Sequence, residues 1–561
     1  MLSQLLAGRG VFMVAEPVRQ HRAAWLEGLF LALLVFIVLA MGGESVRASY
    51  HGYLHTTVGE AVLRDGLLPE NPYHAGTPLR YYTLFPTLGV LLGKLGMGPL
   101  WGFALLNILA ALLFAPALDS LGRSFDLRFS ARRATFWAAV LGFNALGWLG
   151  FFFNGQSLPP EAPPVFQLAP LTFSEWPLHW DQRLQAFLPK FLNVSSFALA
   201  LPFALWTLAV ANRGADERGT HQARRGILPA ALTLALNPLV GAFTGLCMFG
   251  WLIPRFVRWP APSKLAWAGA GVAACLLALP FLLPAFQVEP VSSNRVEVQL
   301  GGQPLWDFLG PLCLLLPMAI LGLKYWSKPH LLRFGFAAFV ACGLLLFGGF
   351  PWGNEYKFAR IGAILWAIPA GTWISRWDTF PKFKWALLFC LALPTTTAVP
   401  NAYLKWGHAS PPMPLQNDSG SLGLPIESGA PWSSLIAEMR SIDSSAVCLL
   451  DPYGFPGLGA GRVQGSPLAP ALSHPLVVDV LHVHNEGQLD LSKRMELCQS
   501  FFHSKSESDS LAALKSLRLL FPHRPMLVLL PEGRKEPPIE MSSWDSGGFS
   551  LWHLPAPEPD A

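Results

Sequence analysis

PLWGFALLNILAALLFAPAL, from Pro99 to Leu118, runs for twenty residues without a charged side chain. A hydrocarbon core about 30 Å thick is crossed by roughly 20 apolar residues in helical form, so this stretch has the length and composition of a membrane span. Comparable runs lie on either side of it: Trp25–Gly42, Ala134–Phe153, Phe191–Ala211, Ile227–Pro254, Leu265–Phe286, Leu305–Leu323, Leu331–Phe350, Ile361–Trp377 and Trp385–Pro400. In lipid every backbone amide must be satisfied inside its own segment, which makes these runs helices rather than open strands. The composition of the 561 residues agrees, with 52% hydrophobic and 13% charged, against about 25% charged in soluble domains. A disordered chain is excluded, and the composition argues against an ordinary soluble enzyme. The sequence reads as a polytopic α-helical membrane protein of about 10–12 membrane segments, with the lipid bilayer as its first partner.

The net charge of +5 conceals a division. Residues 1–400 carry 29 Lys and Arg against 18 Asp and Glu, whereas residues 401–561 carry 11 against 17. A mildly basic total gives no argument for nucleic acid as a partner; the asymmetry points instead to topology. Basic clusters gather on the cytoplasmic side of membrane proteins. Here they are Arg9, Arg19 and Arg22; Arg123, Arg128, Arg132 and Arg133; Arg213, Arg218, Arg224 and Arg225; Arg255, Arg258 and Lys264; Lys324, Lys328 and Arg333; and Arg376, Lys382 and Lys384. Placing all of them inside requires Tyr81–Leu95 to be an embedded or interfacial helix. It also requires Ile227–Pro254, interrupted at Asn237-Pro238, to enter and return as a short helical pair or re-entrant hairpin.

The expected organisation is a cytoplasmic segment 1–24, a multi-span domain 25–400, a linker 401–429 rich in Ser, Pro and Gly, and an extracytoplasmic α/β domain 430–561. The outer loops are 43–80, 154–190, 287–304 and 351–360. The first apolar run follows a basic segment and precedes many others, so it reads as a retained anchor rather than a cleaved signal peptide. No G-x-x-x-x-G-K-[ST] phosphate loop occurs, which argues against an ATP-driven pump and puts any chemistry on the outer side or within the bilayer. In the tail, strands are expected at Ala446–Leu450, Leu476–Val483, Met526–Leu530 and Phe549–Leu554, and helices at Trp432–Met439, Leu491–Phe502 and Leu511–Leu517. Cys448 and Cys498 could pair if the tail faces an oxidising space.

The first outer loop, YHGYLHTTVGEAVLRDGLLPENPYHAGTPLRYYTLFP from Tyr50 to Pro86, begins with an amphipathic stretch that ends at Gly66. At about 100° per residue, His51 and His55 share a helical face, Asp65 falls near it and Glu60 points away. His51, His55 and Asp65 could offer two imidazoles and a carboxylate to a divalent cation. Equally, the histidines can border Leu54, Val58 and Val62 at the interface, and no metal ligand set is assigned.

Gly66-Leu67-Leu68-Pro69, Asn71-Pro72-Tyr73, Gly76, the run Pro78 through Tyr82, and Asn354-Glu355-Tyr356-Lys357-Phe358 together resemble the C-type (GT-C) membrane glycosyltransferases, the superfamily that includes the protein mannosyltransferase and aminoarabinose transferase group. The resemblance implies a GT-C-like membrane domain with the α/β tail outside, in a bacterial inner membrane. It also implies transfer of a sugar from a polyprenyl-phosphate carrier, the donor substrate, to an outer-face acceptor such as a lipid, glycan or protein. A divalent cation is the one cofactor the resemblance leaves open. One departure stands out: where relatives place an acidic residue just beyond the first span, this chain has His51-Gly52. A neutral imidazole can act as a general base near its ordinary pKa.

Proton abstraction and phosphate stabilisation call for bases and fixed cations near the outer face. The catalytic candidates are therefore His51, His55, Glu60, Asp65 and Asp181. The substrate-binding candidates are Glu70, Asn71, Arg80, Tyr81, Tyr82, Asn354, Glu355, Lys357 and Arg360, with Arg183 and Lys190 as further outer-side cations. Two alternatives accompany the transferase: a glycolipid flippase, which needs a polar cavity and a broken helix, and a non-catalytic envelope assembly protein derived from the same fold.

Overall fold

The computed structural model describes residues 2–49, 51–143, 188–217, 220–286, 297–298, 314–349, 356–392, 445–451, 474–478, 490–531, 542–546 and 549–556, with a few single residues between. Besides a single helical turn at Pro189–Leu192 that carries Lys190, the α-helices in chain order are α1 (Leu2–Met41), α2 (Gly43–Ala48), α3 (Gly52–Asp65), α4 (Leu84–Gly93), α5 (Pro99–Ser124), α6 (Phe129–Leu141), α7 (Ser196–Glu217), α8 (Thr220–Leu236), α9 (Pro238–Phe256), α10 (Ala261–Phe286), α11 (Leu315–Leu323), α12 (Lys328–Phe347), α13 (Tyr356–Ile374), α14 (Leu491–His503) and α15 (Glu507–Leu519). Among the described residues, seven helices are long and apolar enough to cross a membrane: Arg22–Met41 of α1, α5, α7, α9, α10, α12, and α13 with its following turn. The protein is an integral membrane protein. The expected runs Ala134–Phe153, Leu305–Leu323 and Trp385–Pro400 lie only partly within the described residues.

The chain forms two compact units. The first comprises Met1–Gly42, Leu106–Leu279 and Arg295–Lys405. Helix α13 is buried along most of its length, with α6, α11 and α12 packed on it. The approach is close because glycines stand at the contacts: a Cβ added at Gly322 would lie 1.9 Å from the Pro369 carbonyl oxygen. The break at Asn237-Pro238 occurs where the sequence places it. Asn237 is extended (φ −149°), and its side chain caps α9 by accepting the Val240 N–H at 3.3 Å while donating to Ser196 Oγ at 3.1 Å. Proline at N1 fits because its missing N–H is one that the first turn leaves unpaired anyway. Helices α8 and α9 have 17 and 19 residues. At 1.5 Å per residue each is about 26–29 Å long, so of the two forms anticipated the segment takes the helical pair, with helices nearly as long as the hydrocarbon is thick. Helix α4, with ten residues, spans about 15 Å, half of what a crossing needs.

The second unit comprises Gly43–Leu105, Pro280–Asn294 and Trp406–Ala561. Its sheet has the order β1 (Val447–Leu449), β2 (Met526–Pro531), β4 (Phe549–Leu554), β3 (Ser542–Ser546), with β1 parallel to β2 and the remaining pairs antiparallel. Successive strand side chains point to opposite faces, and each face has its own core. Cys448, Leu450, Leu527, Leu529 and Leu551 pack with Leu54, Val58, Tyr73, Leu79 and Tyr81 of the first outer loop. Val447, Leu449, Val528 and Leu530 pack with Cys498, Phe501, Leu514 and Leu517 of α14 and α15. The first outer loop and the tail therefore share one folded body. Main-chain hydrogen bonds join them as well: the Ala75 N–H donates to the Leu476 carbonyl and the Leu476 N–H to the Pro72 carbonyl, at 2.8 and 2.9 Å. Cys448 and Cys498 lie in the cores on opposite faces of the sheet, and both are free thiols. Burial pushes the Cys498 thiol up to about 12 and raises that of Cys448 as well. The linker 401–429 and the helix expected over Trp432–Met439 fall outside the described residues, apart from the last two positions of that helix.

Candidate functional site

In the second unit, α3 carries His51 at its N-cap and His55 one turn on. His55 is buried, with its ring centroid 5.0 Å from Phe85, 5.7 Å from Tyr81, 5.8 Å from Phe103 and 6.0 Å from His51. Gly59 makes this enclosure possible by letting α3 lie on α4; a Cβ there would stand 2.6 Å from the Pro86 carbonyl oxygen. Tyr81 and Tyr82 stack at 4.3 Å with their hydroxyls 3.2 Å apart. His51, His55, Tyr81 and Tyr82 thus form one aromatic group, in which His51 is the partly exposed imidazole.

The carboxylates of the same loop are engaged elsewhere. Glu60 pairs with Lys94 at 3.2 Å, and Asp65 with Arg64 through bonds of 2.6 and 2.7 Å. Among the described residues, no three His, Cys, Asp or Glu side chains come together to hold a metal ion. Glu70 accepts from Arg524 and from the Gly76 N–H, both at 2.5 Å. Asn71 is buried; its Oδ1 accepts the Tyr73 N–H at 3.0 Å and its own N–H donates to the Thr77 carbonyl at 2.8 Å. The turn these bonds close favours glycine at Gly76, whose φ of +80° is one that residues with a side chain rarely adopt. Arg80 is half-buried, which lowers its guanidinium pKa, and its buried Nε has no hydrogen-bond partner among the described residues.

A node absent from the sequence reading sits beside this turn. His74 is fully buried, and its Nε2 lies 3.2 Å from Asp490. Asp490 accepts from Arg494 Nε at 2.6 Å, and Arg494 Nη1 donates to the carbonyls of Ala75 and Val477 at 2.7 and 2.9 Å. Burial first, then the Arg494 charge, push the His74 imidazole down from 6.5 to about 4, with Asp490 opposing. The folded state keeps His74 neutral where an unfolded chain would protonate it. Stability from this group is complete above pH 6.5 and is lost as the pH falls from there towards 4, by roughly 3 kcal/mol at most. His74→Gln is expected to flatten the decline in melting temperature of wild type between pH 7 and 4.5. Parallel declines in the two proteins would show that the acid sensitivity resides elsewhere.

The first unit holds the remaining candidates. Lys357 and Arg360 are buried in the first turns of α13, not in an outer loop, because the helix begins at Tyr356 rather than at Ile361. Three residues apart on a helix, they share a face. The Arg360 guanidinium lies 5.3 Å from the Phe143 ring. Lys190 is also buried, and its Nζ donates to the Tyr356 hydroxyl at 3.2 Å. The Lys357 ammonium has no ion pair or hydrogen bond among the described residues; its main-chain N–H donates to the Asn354 carbonyl at 3.1 Å. Asp181, Arg183 and Glu355 lie outside the described residues. Lys190 could be read from the sequence only as one of several outer-side cations.

Burying a cation in a membrane bundle is costly, and the N-terminus of a helix already carries about half a positive charge. Lys357, in the first turn, is placed where both effects disfavour it, and Arg360 brings a second buried cation one turn on. Such a placement becomes favourable once an anion binds, because the helix end and the side chains then act together.

No protein-family model and no curated protein matches the sequence. Solved structures do match in fold. The arabinofuranosyltransferase AftD from Mycobacteria aligns with 94% of this chain at 15% identity and a TM-score of 0.53, and the aligned part is 42% of the AftD chain. ArnT from Cupriavidus metallidurans aligns with 94% of this chain and 98% of its own in the apo state, at 11% identity and a TM-score of 0.51. The structure of ArnT bound to undecaprenyl phosphate gives 0.50 over 99% of its own length. The chain has the fold of the GT-C membrane glycosyltransferases.

Proposed function

We propose that this protein is an integral membrane glycosyltransferase that moves a sugar from a polyprenyl-phosphate carrier to an extracytoplasmic acceptor, with Lys357, Arg360 and Lys190 holding the carrier phosphate. The observation that carries this is the set of buried cations at the N-terminal end of α13, in a bundle whose fold matches a protein solved with undecaprenyl phosphate. The reaction is a displacement at the anomeric carbon. The acceptor oxygen forms the new glycosidic bond, the bond to the carrier phosphate breaks, and the acceptor proton passes to a base. Charge builds on the departing phosphate, where fixed cations stabilise it most. The base is proposed from the second unit taken by itself: Glu60 and Asp65 are ion-paired there, His55 is enclosed, and the partly exposed His51 imidazole is the candidate. The membrane is a bacterial inner membrane with the tail outside; a reporter enzyme active only in the periplasm, fused after the last residue, tests that orientation.

The test is transfer by the reconstituted protein, using radiolabelled polyprenyl-phosphate sugars and a panel of acceptors. His51→Ala is expected to lose about 100-fold in turnover, the scale of a removed general base. Asp65→Asn is expected to stay within about twofold of wild type, since an exposed ion pair contributes little. Absence of turnover across the panel, together with carrier translocation in vesicles, would overturn the transferase in favour of a flippase.

A further inference from the structure

The first unit contains a second charged cluster, unconnected with the carrier phosphate proposed above. Asp119 on α5 is 3% exposed and accepts from three guanidinium groups: Arg123 Nε at 2.7 Å, Arg132 Nε at 2.8 Å, and Arg133. Arg133 also pairs with Glu27 of α1, and Arg132 Nη1 donates to the Leu127 carbonyl at 2.7 Å. Among the described residues, three arginines thus face two carboxylates, one positive charge in excess. Two guanidinium atoms of the cluster, Arg123 Nη2 and Arg133 Nε, are buried and have no hydrogen-bond partner among the described residues. Beside it, Leu26, Phe30 and Phe129 expose large apolar surfaces, and the Phe129 ring lies 5.7 and 5.4 Å from the Arg132 and Arg133 guanidiniums. Surplus charge, unsatisfied donors and an exposed apolar rim therefore coincide near the start of the Arg22–Met41 span of α1, the C-terminal end of α5 and the N-terminal end of α6.

We propose that this cluster binds the phosphodiester headgroup of an anionic phospholipid. A phosphate oxygen can accept from guanidinium donors that Asp119 and Glu27 leave unused, and charge-assisted bonds of this kind are among the stronger ones. Arginine suits the task because it stays charged and presents several donors in a fixed fork. The acyl chains would lie along Leu26, Phe30 and Phe129, whose exposure suits lipid and not water. Basic pockets between membrane helices recognise phosphorylated lipid headgroups in this way.

Native mass spectrometry of the detergent-solubilised full chain, titrated with phosphatidylglycerol or phosphatidylcholine, tests the assignment. Phosphatidylglycerol is expected to bind about five- to tenfold more tightly, the scale of one unneutralised basic side chain at a membrane surface. Arg123→Gln leaves two arginines facing two carboxylates and is expected to abolish the preference. Glu27→Gln raises the surplus to two and is expected to increase it, which keeps the test alive if Arg123→Gln fails to fold. Equal affinity for the two lipids in wild type would overturn the proposal, as would a preference that survives Arg123→Gln. Displacement of phosphatidylglycerol by an equimolar amount of inorganic phosphate would overturn the lipid as the ligand and indicate a free-anion site.

Discussion

Lys357→Met is expected to lower sugar transfer by about 100-fold or more while leaving the melting temperature of the donor-free protein unchanged or higher. The two halves of this result have one cause. Lys357 is 8% exposed, sits in the first turn of α13, and makes no ion pair or side-chain hydrogen bond among the described residues. Its ammonium therefore loses hydration near the positive end of a helix dipole, with no carboxylate paired to it among the described residues. Methionine has a similar length, adapts to irregular packing and carries no charge, so it relieves both costs. Replacing buried ionic groups by apolar side chains of similar volume is often neutral or stabilising. In the reaction the same charge meets the carrier phosphate, and removing one well-placed donor from developing negative charge typically costs 10²–10³ in rate. Both kcat and kcat/KM should fall, because the charge on the departing phosphate grows towards the transition state. A variant that melts earlier yet turns over normally would mean that Lys357 is a packing element and would remove the central support for the carrier-phosphate assignment.

The membrane class was readable because its signal is a sum over long segments. Twenty uncharged residues at Pro99–Leu118 leave few alternatives, and the helix found there begins at Pro99. The break at Asn237-Pro238 was readable for a local reason: asparagine caps a helix, and proline fits its first turn. Tail elements with strong periodicity also emerged near their expected limits, as at Phe549–Leu554 and Leu491–His503. Strand β3, Ser542–Ser546, was not foreseen, since the polar run SSWDS carries no strand pattern and pairs only with β4.

The site was less legible. Hydropathy starts the run that ends at Trp377 at Ile361, because Lys357 and Arg360 count against a membrane helix. The helix nonetheless begins at Tyr356 and draws both cations into the bundle. Helical phase put Asp65 near the His51 face, but an adjacent Arg64 holds its carboxylate. Phase gives direction on an isolated helix and says nothing about which neighbour arrives first. His74 offered no signal at all, because its partners Asp490 and Arg494 lie at the far end of the chain and meet it only after the sheet has formed.

The largest stability effect is expected from Arg494→Ala, which should destabilise the second unit by about 3 kcal/mol. The Arg494 side chain is nearly fully buried and is shared between the tail and the first outer loop. One Nη1 donates to the Ala75 carbonyl in the loop and the Val477 carbonyl in the tail, while Nε holds Asp490 beside His74. Its guanidinium also lies 5.2 Å from the Phe521 ring. Truncation leaves two buried carbonyls short of a donor, at about 1–3 kcal/mol each where water cannot enter. It also opens a void against Phe521. Asp490 is about one-third exposed, so its lost partner adds little once water replaces the guanidinium. Arg494→Met separates these contributions, since it restores apolar volume without the donors; it should recover less than half of the loss if the hydrogen bonds dominate. Limited proteolysis offers a second measure: the segment Glu70–Leu79, closed in wild type by its bonds to Leu476, Arg494 and Arg524, should become cleavable in Arg494→Ala well below the temperature at which the membrane helices unfold. A variant that melts with wild type and resists the protease to the same extent would show that the hydrophobic cores on the two faces of the sheet hold loop and tail together without this polar joint.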